Sequence, residues 1–176
     1  GQESTFTATV HVKVDKLPTV KDVSVVIGNK IITAENDTST SVVFAEIPES
    51  GMLTFTATDD IGLQSYTVYV NDVPWYYQGV IGSGLQISKT IEIPVEEGEN
   101  QIEIKAVDKS GQEALYSFVV VITLDTTAPA ISDVTLGGKT INEDEENYLS
   151  ADSVADWTLS FKATDNVEVT DVVVQI

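Results

Sequence analysis

The chain is rich in carboxylate side chains, and these are the residue types through which it could do chemistry. It contains 28 Asp and Glu residues against 9 basic residues, for a formal net charge of −19. Carboxylate and carbonyl oxygens are the hard ligands that Ca²⁺ takes in proteins. The candidate ligands stand where strand-like segments end: Asp15, Asp59, Asp60, Asp108, Asp125, Asp165 and Asn166. Asp and Asn also favour turns, because their side chains bond the local backbone. A calcium site and ordinary turns are therefore both open interpretations.

Catalytic constellations are not evident in the sequence. His11 is the only histidine, and there is no cysteine. No serine lies in a nucleophile-elbow pattern, and no glycine-rich phosphate loop follows a strand-like segment. We therefore predict no catalytic residues, and a protein that is not an enzyme.

Three adjacent aromatic residues, Trp75, Tyr76 and Tyr77, are the candidates for ligand contact. They precede a glycine-rich stretch, and exposed aromatic rings can form a platform that stacks on sugar rings. The other interpretation is that alternate rings turn inward and cover the edge of the core.

Charge and hydropathy exclude several classes of partner. Binding to nucleic acid needs clustered Lys and Arg, which a chain of net charge −19 does not offer. No run approaches 18 consecutive apolar residues, so we expect no membrane insertion. The absence of cysteine removes disulfides and thiolate metal sites from consideration.

The elements that must position the aspartates have the period of β-strands. Ile102, Ile104 and Ala106 alternate with polar residues, and Tyr116, Phe118, Val120, Ile122 and Leu124 alternate in the next segment. No segment has a sustained period of 3.6 residues, so the sequence predicts an all-β fold.

An internal repeat sets the domain organisation. Gly1-Gln2-Glu3 recurs as Gly111-Gln112-Glu113, and the segment 53–60 recurs as 159–166. The period of about 106 to 111 residues is the size of one immunoglobulin-like sandwich. We predict that residues 1–16 are the last strand of a preceding repeat. Residues 17–125 are predicted to form one complete sandwich, and residues 126–176 the N-terminal part of a following repeat.

The stretch from Glu96 to Pro129 carries a family resemblance. Its run Gly98-Glu99-Asn100, a strand, then Val107-Asp108-Lys109-Ser110-Gly111-Gln112, and the later Asp125-Thr126-Thr127-Ala128-Pro129, resemble bacterial immunoglobulin-like (Big-type) tandem repeats of extracellular and cell-surface proteins. The resemblance implies tandem immunoglobulin-like β-sandwiches. In that fold the B–C loop, the F–G loop and the entering linker share one pole.

This arrangement would bring the candidate ligands together in two groups. Asp59 and Asp60 fall in the B–C loop, Asp108 in the F–G loop and Asp15 in the entering linker. Asp125, Asp165 and Asn166 form the corresponding set at the next junction. Oxygen-only ligation there resembles the calcium-stiffened linkers of cadherins and of some bacterial adhesin repeats.

The function that the resemblance implies is structural. We expect a non-catalytic spacer or stalk in a bacterial adhesin, surface-layer (S-layer) protein or modular secreted protein. The alternative is a carbohydrate-binding accessory module that uses Trp75, Tyr76 and Tyr77. The expected partners are neighbouring repeats of the same chain, with surface glycans and identical chains in a lattice or filament as further alternatives.

Overall fold

A computed structural model describes residues 2–12, 14–80, 82, 84–149 and 157–175. All regular elements in these ranges are β-strands, as predicted, and the described residues contain no helix long and apolar enough to cross a membrane. The strands are β1 Thr19–Ile27, β2 Lys30–Thr33, β3 Thr38–Phe44, β4 Ser50–Thr58, β5 Leu63–Val70, β6 Val73–Gly79, β7 Gln86–Pro94, β8 Gly98–Asp108, β9 Glu113–Leu124, β10 Ala130–Leu136, β11 Lys139–Thr140 and β12 Leu159–Thr164.

The chain divides into two compact units. Unit 1 comprises residues 1–42 and 48–122, and unit 2 comprises residues 43–47 and 123–176. The boundaries that we predicted at residues 16 and 125 stay predictions.

Unit 1 is a sandwich of two β-sheets. One sheet has the strand order β2-β1-β4-β7, and the other has the order β3-β9-β8-β5-β6. Alternate residues of each strand face the space between the sheets, because successive side chains of a strand point to opposite faces. Leu53, Phe55 and Ala57 of β4 and Ile102 and Ile104 of β8 are fully buried there. This two-layer core is the immunoglobulin-like architecture that the sequence predicted.

The sandwich brings the ends of β4 and β8 to one pole. β8 runs antiparallel to β5, with Asp108 opposite Leu63, and β5 begins five residues after Thr58, where β4 ends. The turn at residues 59–62 therefore lies beside the end of β8. Lys109 N donates to Gly62 O at 2.9 Å and fixes this proximity.

Unit 2 repeats the pairing of the first sheet of unit 1. β10 pairs with β12 in the register that β1 makes with β4, so that Ile131 faces Ala163 as Val20 faces Ala57. The β1–β4 and β10–β12 strand pairs each contain a bulge. The bulges include Asp22 and Asp133, which have φ values of 53° and 54°. The repeat seen in the sequence is thus also present in the backbone.

Two local features depart from a simple alternating strand pattern. The segment Asp22–Ile32 contains the end of β1, a turn at Gly28 and most of β2, with Ile27 opposite Lys30. Gly28 has a φ of 54°, a conformation that costs glycine little. Trp75, Tyr76 and Tyr77 lie within β6, an edge strand that also contains Pro74. Proline is tolerated on an edge, where its missing N–H breaks no ladder.

Candidate metal centre

Three aspartates converge at the pole where β4 and β8 end. Asp15 lies on the entering segment before β1, Asp59 directly follows β4, and Asp108 is the last residue of β8. One carboxylate oxygen from each lies within 4.8 Å of the others. We call these three residues the aspartate cluster. It is the single group of three such side chains among the described residues.

The turn at residues 59–62 fixes the direction of the Asp59 carboxylate. Asp59 Oδ1 accepts hydrogen bonds from the N–H groups of Ile61, at 2.9 Å, and of Gly62. Asp59 N donates to Leu85 O at 3.0 Å, which ties the residue to the β6–β7 loop. These bonds are the ordinary turn role of aspartate, and they use only one of its two oxygens.

Asp108 is held in the same manner. Its Oδ1 accepts hydrogen bonds from Ser110 N at 2.8 Å and Gln112 N at 2.7 Å. Its own N–H donates to Gln112 O at 3.0 Å. The two interpretations of the sequence are therefore compatible, because one oxygen of each carboxylate serves the turn and the other is left for a ligand.

The remaining oxygens of the cluster are buried and unsatisfied. Asp59 Oδ2, Asp108 Oδ2 and both carboxylate oxygens of Asp15 have no accessible surface and no hydrogen-bond partner. Asp108 is 0% exposed and Asp59 is 8% exposed. A buried polar atom without a partner is costly, and a buried charge is more costly still. A cation among these oxygens would give each of them a partner.

Repulsion leads to the same conclusion. Two unit charges 4.8 Å apart repel by about 3.5 kcal/mol at an effective dielectric constant of about 20. A divalent cation between the three carboxylates converts this repulsion into attraction. The residues present therefore fit a cation held by oxygen ligands.

Asp60 has a different position from the other three. Its Oδ1 accepts a hydrogen bond from Lys16 N at 3.2 Å, so it holds the chain just after Asp15. It is outside the group of three. Its predicted role as a direct metal ligand stays a prediction.

The second predicted set contains an amide in place of a carboxylate. Asp165 Oδ1 accepts from Val167 N at 2.8 Å and Glu168 N at 3.0 Å, which repeats the turn at Asp59. Asn166 Nδ2 donates to Asp125 Oδ1 at 3.1 Å. The pKa of Asp125 is lowered first by the hydrogen bond from the Thr127 N–H. The hydrogen bond from the Asn166 amide lowers this pKa further. Asp125 Oδ1 thus accepts from two neutral donors, and a metal role for this set stays a prediction.

The three aromatic residues of β6 do not form one platform. A bulge in the β5–β6 pair places Trp75 between the paired positions of Pro74 and Tyr76. Trp75 Nε1 donates to Glu92 O of β7 at 2.7 Å, across the open edge of the sandwich. Tyr76 stacks on the buried Tyr66 with ring centroids 6.0 Å apart. Tyr77, opposite Thr67, is 69% exposed.

Comparison with known proteins finds only distant structural likeness. No family model matches the chain, and no curated protein matches it. It is similar to fibronectin(III)-like modules of Clostridium thermocellum CbhA, with 19% identity over 64% of this chain and a TM-score of 0.40. It spans half the length of that structure.

A second solved structure has a similar degree of likeness. It is the CARDB domain of a Pyrococcus furiosus protein in complex with di-metal ions. The identity is 15%, over 64% of this chain and 100% of the other, with a TM-score of 0.35. At this distance the resemblance carries no argument about a site, so the argument for a metal rests on the aspartate cluster itself.

Proposed function

We propose that this chain is a non-catalytic structural spacer of a bacterial extracellular or cell-surface protein, and that a Ca²⁺ ion in the aspartate cluster stiffens it. The observation that supports the proposal is the burial of every unpartnered oxygen in the cluster. Structural metal sites are closed, whereas catalytic ones keep a position open for water or substrate. A cation held by inaccessible oxygens has a structural role.

The ligand types favour calcium over other cations. All candidate ligands in the cluster are carboxylate oxygens, which suit hard cations, and the chain offers no thiolate. Both oxygens of Asp15 are unpartnered, so this residue can bind in a bidentate manner. Ca²⁺ accepts bidentate carboxylates and 6 to 8 oxygens, whereas Mg²⁺ demands a near-octahedral arrangement and retains water.

The position of the cluster explains how a cation would stiffen the protein. β4 belongs to one sheet and β8 to the other, and Asp15 lies on neither. An ion bound to all three aspartates would join the two sheets and the entering chain at one point. Bending of the entering segment against the two sheets would then require loss of a ligand.

Thermal unfolding of the full chain tests this function. Calcium that binds only the folded state at 100 times its dissociation constant raises the free energy of unfolding by about 2.7 kcal/mol. We expect a clear rise of the melting temperature in Ca²⁺ over excess chelator, and a smaller rise in Mg²⁺. Superimposed melting curves in Ca²⁺ and chelator would refute the calcium part of the proposal.

A carbohydrate-binding module is the second candidate. The observation in its favour is that β6 exposes Trp75 and Tyr77, at 51% and 69%, on a strand that has no charged residue. Retention on immobilised polysaccharides tests this function. Binding that Tyr77→Ala removes and Tyr76→Ala preserves would support it, because Tyr76 is already stacked on Tyr66. A chain that no polysaccharide retains would contradict it.

A further inference from the structure

Trp75 bridges the open edge of unit 1. β6 is the edge strand of one sheet, and β7 is the edge strand of the other. The Trp75 indole reaches from β6 to β7, where its Nε1 donates to Glu92 O at 2.7 Å. This bond fixes the ring, yet Trp75 remains 51% exposed. The edge of the sandwich thus presents an aromatic surface of fixed orientation to solvent.

Trp75 separates two grooves of about 300 Å³ each. The Glu96 groove is lined by Val70, Asn71, Val73, Val95, Glu96 and Asn100. The Glu92 groove is lined by Glu49, Ser50, Glu92 and Ile93. Trp75 and Pro94 line both grooves. This volume is at the lower end of the range for small-molecule sites, about 300 to 1,000 Å³, so each groove suits one long side chain.

The charged residues that line the grooves are all glutamates, and two of them are held in place. Ser50 Oγ donates to Glu92 Oε1 at 2.9 Å, and Asn71 Nδ2 donates to Glu96 Oε1 at 3.4 Å. Both donors are neutral, so they orient the carboxylates without cancelling their charge. Each groove therefore combines an oriented negative group with one side of the indole ring.

A buried amide fixes the backbone of the Glu96 groove. Asn100 is 0% exposed. Its Oδ1 accepts from Glu96 N at 2.9 Å, and its Nδ2 donates to Glu96 O at 2.8 Å. The residue that carries the carboxylate of this groove is thus held at its backbone by the core of the sandwich.

The lining of the grooves favours arginine as the occupant. A guanidinium group stacks on aromatic rings and binds a carboxylate through two parallel hydrogen bonds. Its apolar stem can pack along side chains such as Val73 and Val95. A metal ion would use the carboxylates but not the apolar lining. This chain has no arginine and a net charge of −19, so repulsion opposes a second copy as the partner.

We infer that the open edge of unit 1 binds an extended basic segment of a partner protein, with one arginine side chain in each groove and Trp75 between them. Side chains on the same face of an extended segment are two residues, or about 6.6 Å, apart. Arg-x-Arg is therefore the shortest pattern that can straddle the ring. Glu96 precedes the start of β8 at Gly98, whereas Asp108 ends that strand, so the inference does not depend on a cation in the aspartate cluster.

An NMR titration of the full chain with the capped peptide Ala-Arg-Ala-Arg-Ala tests the inference. The indole N–H signal of Trp75 should shift and saturate. The indole signal of Trp157, which belongs to unit 2, should not move and is the internal reference. A peptide with citrulline, the uncharged analogue, in place of both arginines should bind at least about tenfold more weakly. Equal affinity of the two peptides, or no shift at Trp75, would overturn the inference.

Substitutions in the grooves separate a local site from the effect of net charge. Glu92→Gln and Glu96→Gln remove one charge each and keep an oxygen that can accept the bond from Ser50 or Asn71. Each should weaken peptide binding by about twofold to fivefold, the range for one exposed ion pair. Glu99→Gln is the matched control, because Glu99 is exposed near the start of β8 and lines neither groove. An equal loss in Glu99→Gln would show that net charge alone attracts the peptide, and the inference would be wrong.

Two further outcomes would assign the grooves to another occupant. A neutral oligosaccharide that shifts the Trp75 signal where the arginine peptide does not would make the edge a glycan site. A Trp75 shift that depends on the concentration of the chain alone, and that Glu92→Gln removes, would make the partner a second copy. Either result would overturn the inference.

Discussion

Asp59 and Asp108 divide their carboxylate oxygens in the same way. In each, Oδ1 accepts two backbone N–H groups of the following turn, and Oδ2 is buried without a partner. Asp59 follows a strand of one sheet, Asp108 ends a strand of the other, and their carboxylates meet in one cluster with Asp15. The turns thus hold the carboxylates of Asp59 and Asp108 in a fixed orientation before a cation binds. The predictions for the cluster depend on this preorganisation.

Asp108→Asn should have opposite effects with and without calcium. The substituted side chain keeps an oxygen for the turn and removes one buried negative charge. In chelator we expect the variant to melt above the wild type, because the repulsion within the cluster is relieved. In Ca²⁺ it should lose the calcium-dependent rise of the melting temperature.

Asp72→Asn is the matched control for this variant. Asp72 is an exposed turn residue at the other end of β5 and has a φ of 64°, which Asn tolerates. Its calcium response should equal that of the wild type. A control that loses the response would show that net charge, rather than the cluster, determines it.

Asn166→Asp should weaken unit 2 in the absence of calcium. The substitution removes the amide that donates to Asp125 and places a third carboxylate beside Asp125 and Asp165. We expect a loss of roughly 1 kcal/mol, the value of one hydrogen bond. Faster hydrogen exchange at the Thr127 amide would report it, and Ca²⁺ should restore part of the protection. Asn29→Asp, in an exposed turn, controls for the added charge; if it has the same effect on Thr127, the prediction fails.

Trp75→Phe should destabilise unit 1 by about 1 to 2 kcal/mol, because it removes the hydrogen bond from Nε1 to Glu92 O between the two sheets. Tyr77→Phe, on the exposed face of the same strand, should change the free energy of unfolding by less than about 0.5 kcal/mol. Urea unfolding of both variants provides the comparison. Equal stability of the two would show that the Trp75 bond does not hold the edge of the sandwich closed.

Stability should fall at alkaline pH because of Tyr66. Burial first, and then the neighbouring Tyr76, raise the pKa of Tyr66 above its ordinary value of 10.0. A raised folded-state pKa contributes stability that is complete below pH about 10 and is lost as the pH rises toward the folded value. Urea midpoints between pH about 9 and 12 should fall less steeply for Tyr66→Phe. Identical slopes would contradict the prediction.

Local patterns in the sequence predicted much of the fold. Leu53, Phe55 and Ala57 alternate with threonines, and Ile102 and Ile104 alternate with charged residues, so the faces of β4 and β8 could be assigned before the structure was known. The repeat and the family resemblance together placed Asp15, Asp59 and Asp108 at one pole, where the structure brings them together.

Other features depend on neighbours that the sequence does not display. β6 begins at Val73 and contains Pro74, because an edge strand needs no backbone donor at that residue. The split of the aromatic residues follows from a bulge in the pairing with β5, and the bond from Lys16 N to Asp60 joins segments far apart in the sequence. The separate roles of Oδ1 and Oδ2 become visible only in three dimensions.

The most direct test of the central claim is a calorimetric titration of the full chain with Ca²⁺, alongside Asp108→Asn. The wild type should bind one ion per chain at the aspartate cluster, and Asp108→Asn should show no saturable binding at that site. Absence of saturable binding by the wild type, or binding by Asp108→Asn with the same stoichiometry and affinity, would contradict the account.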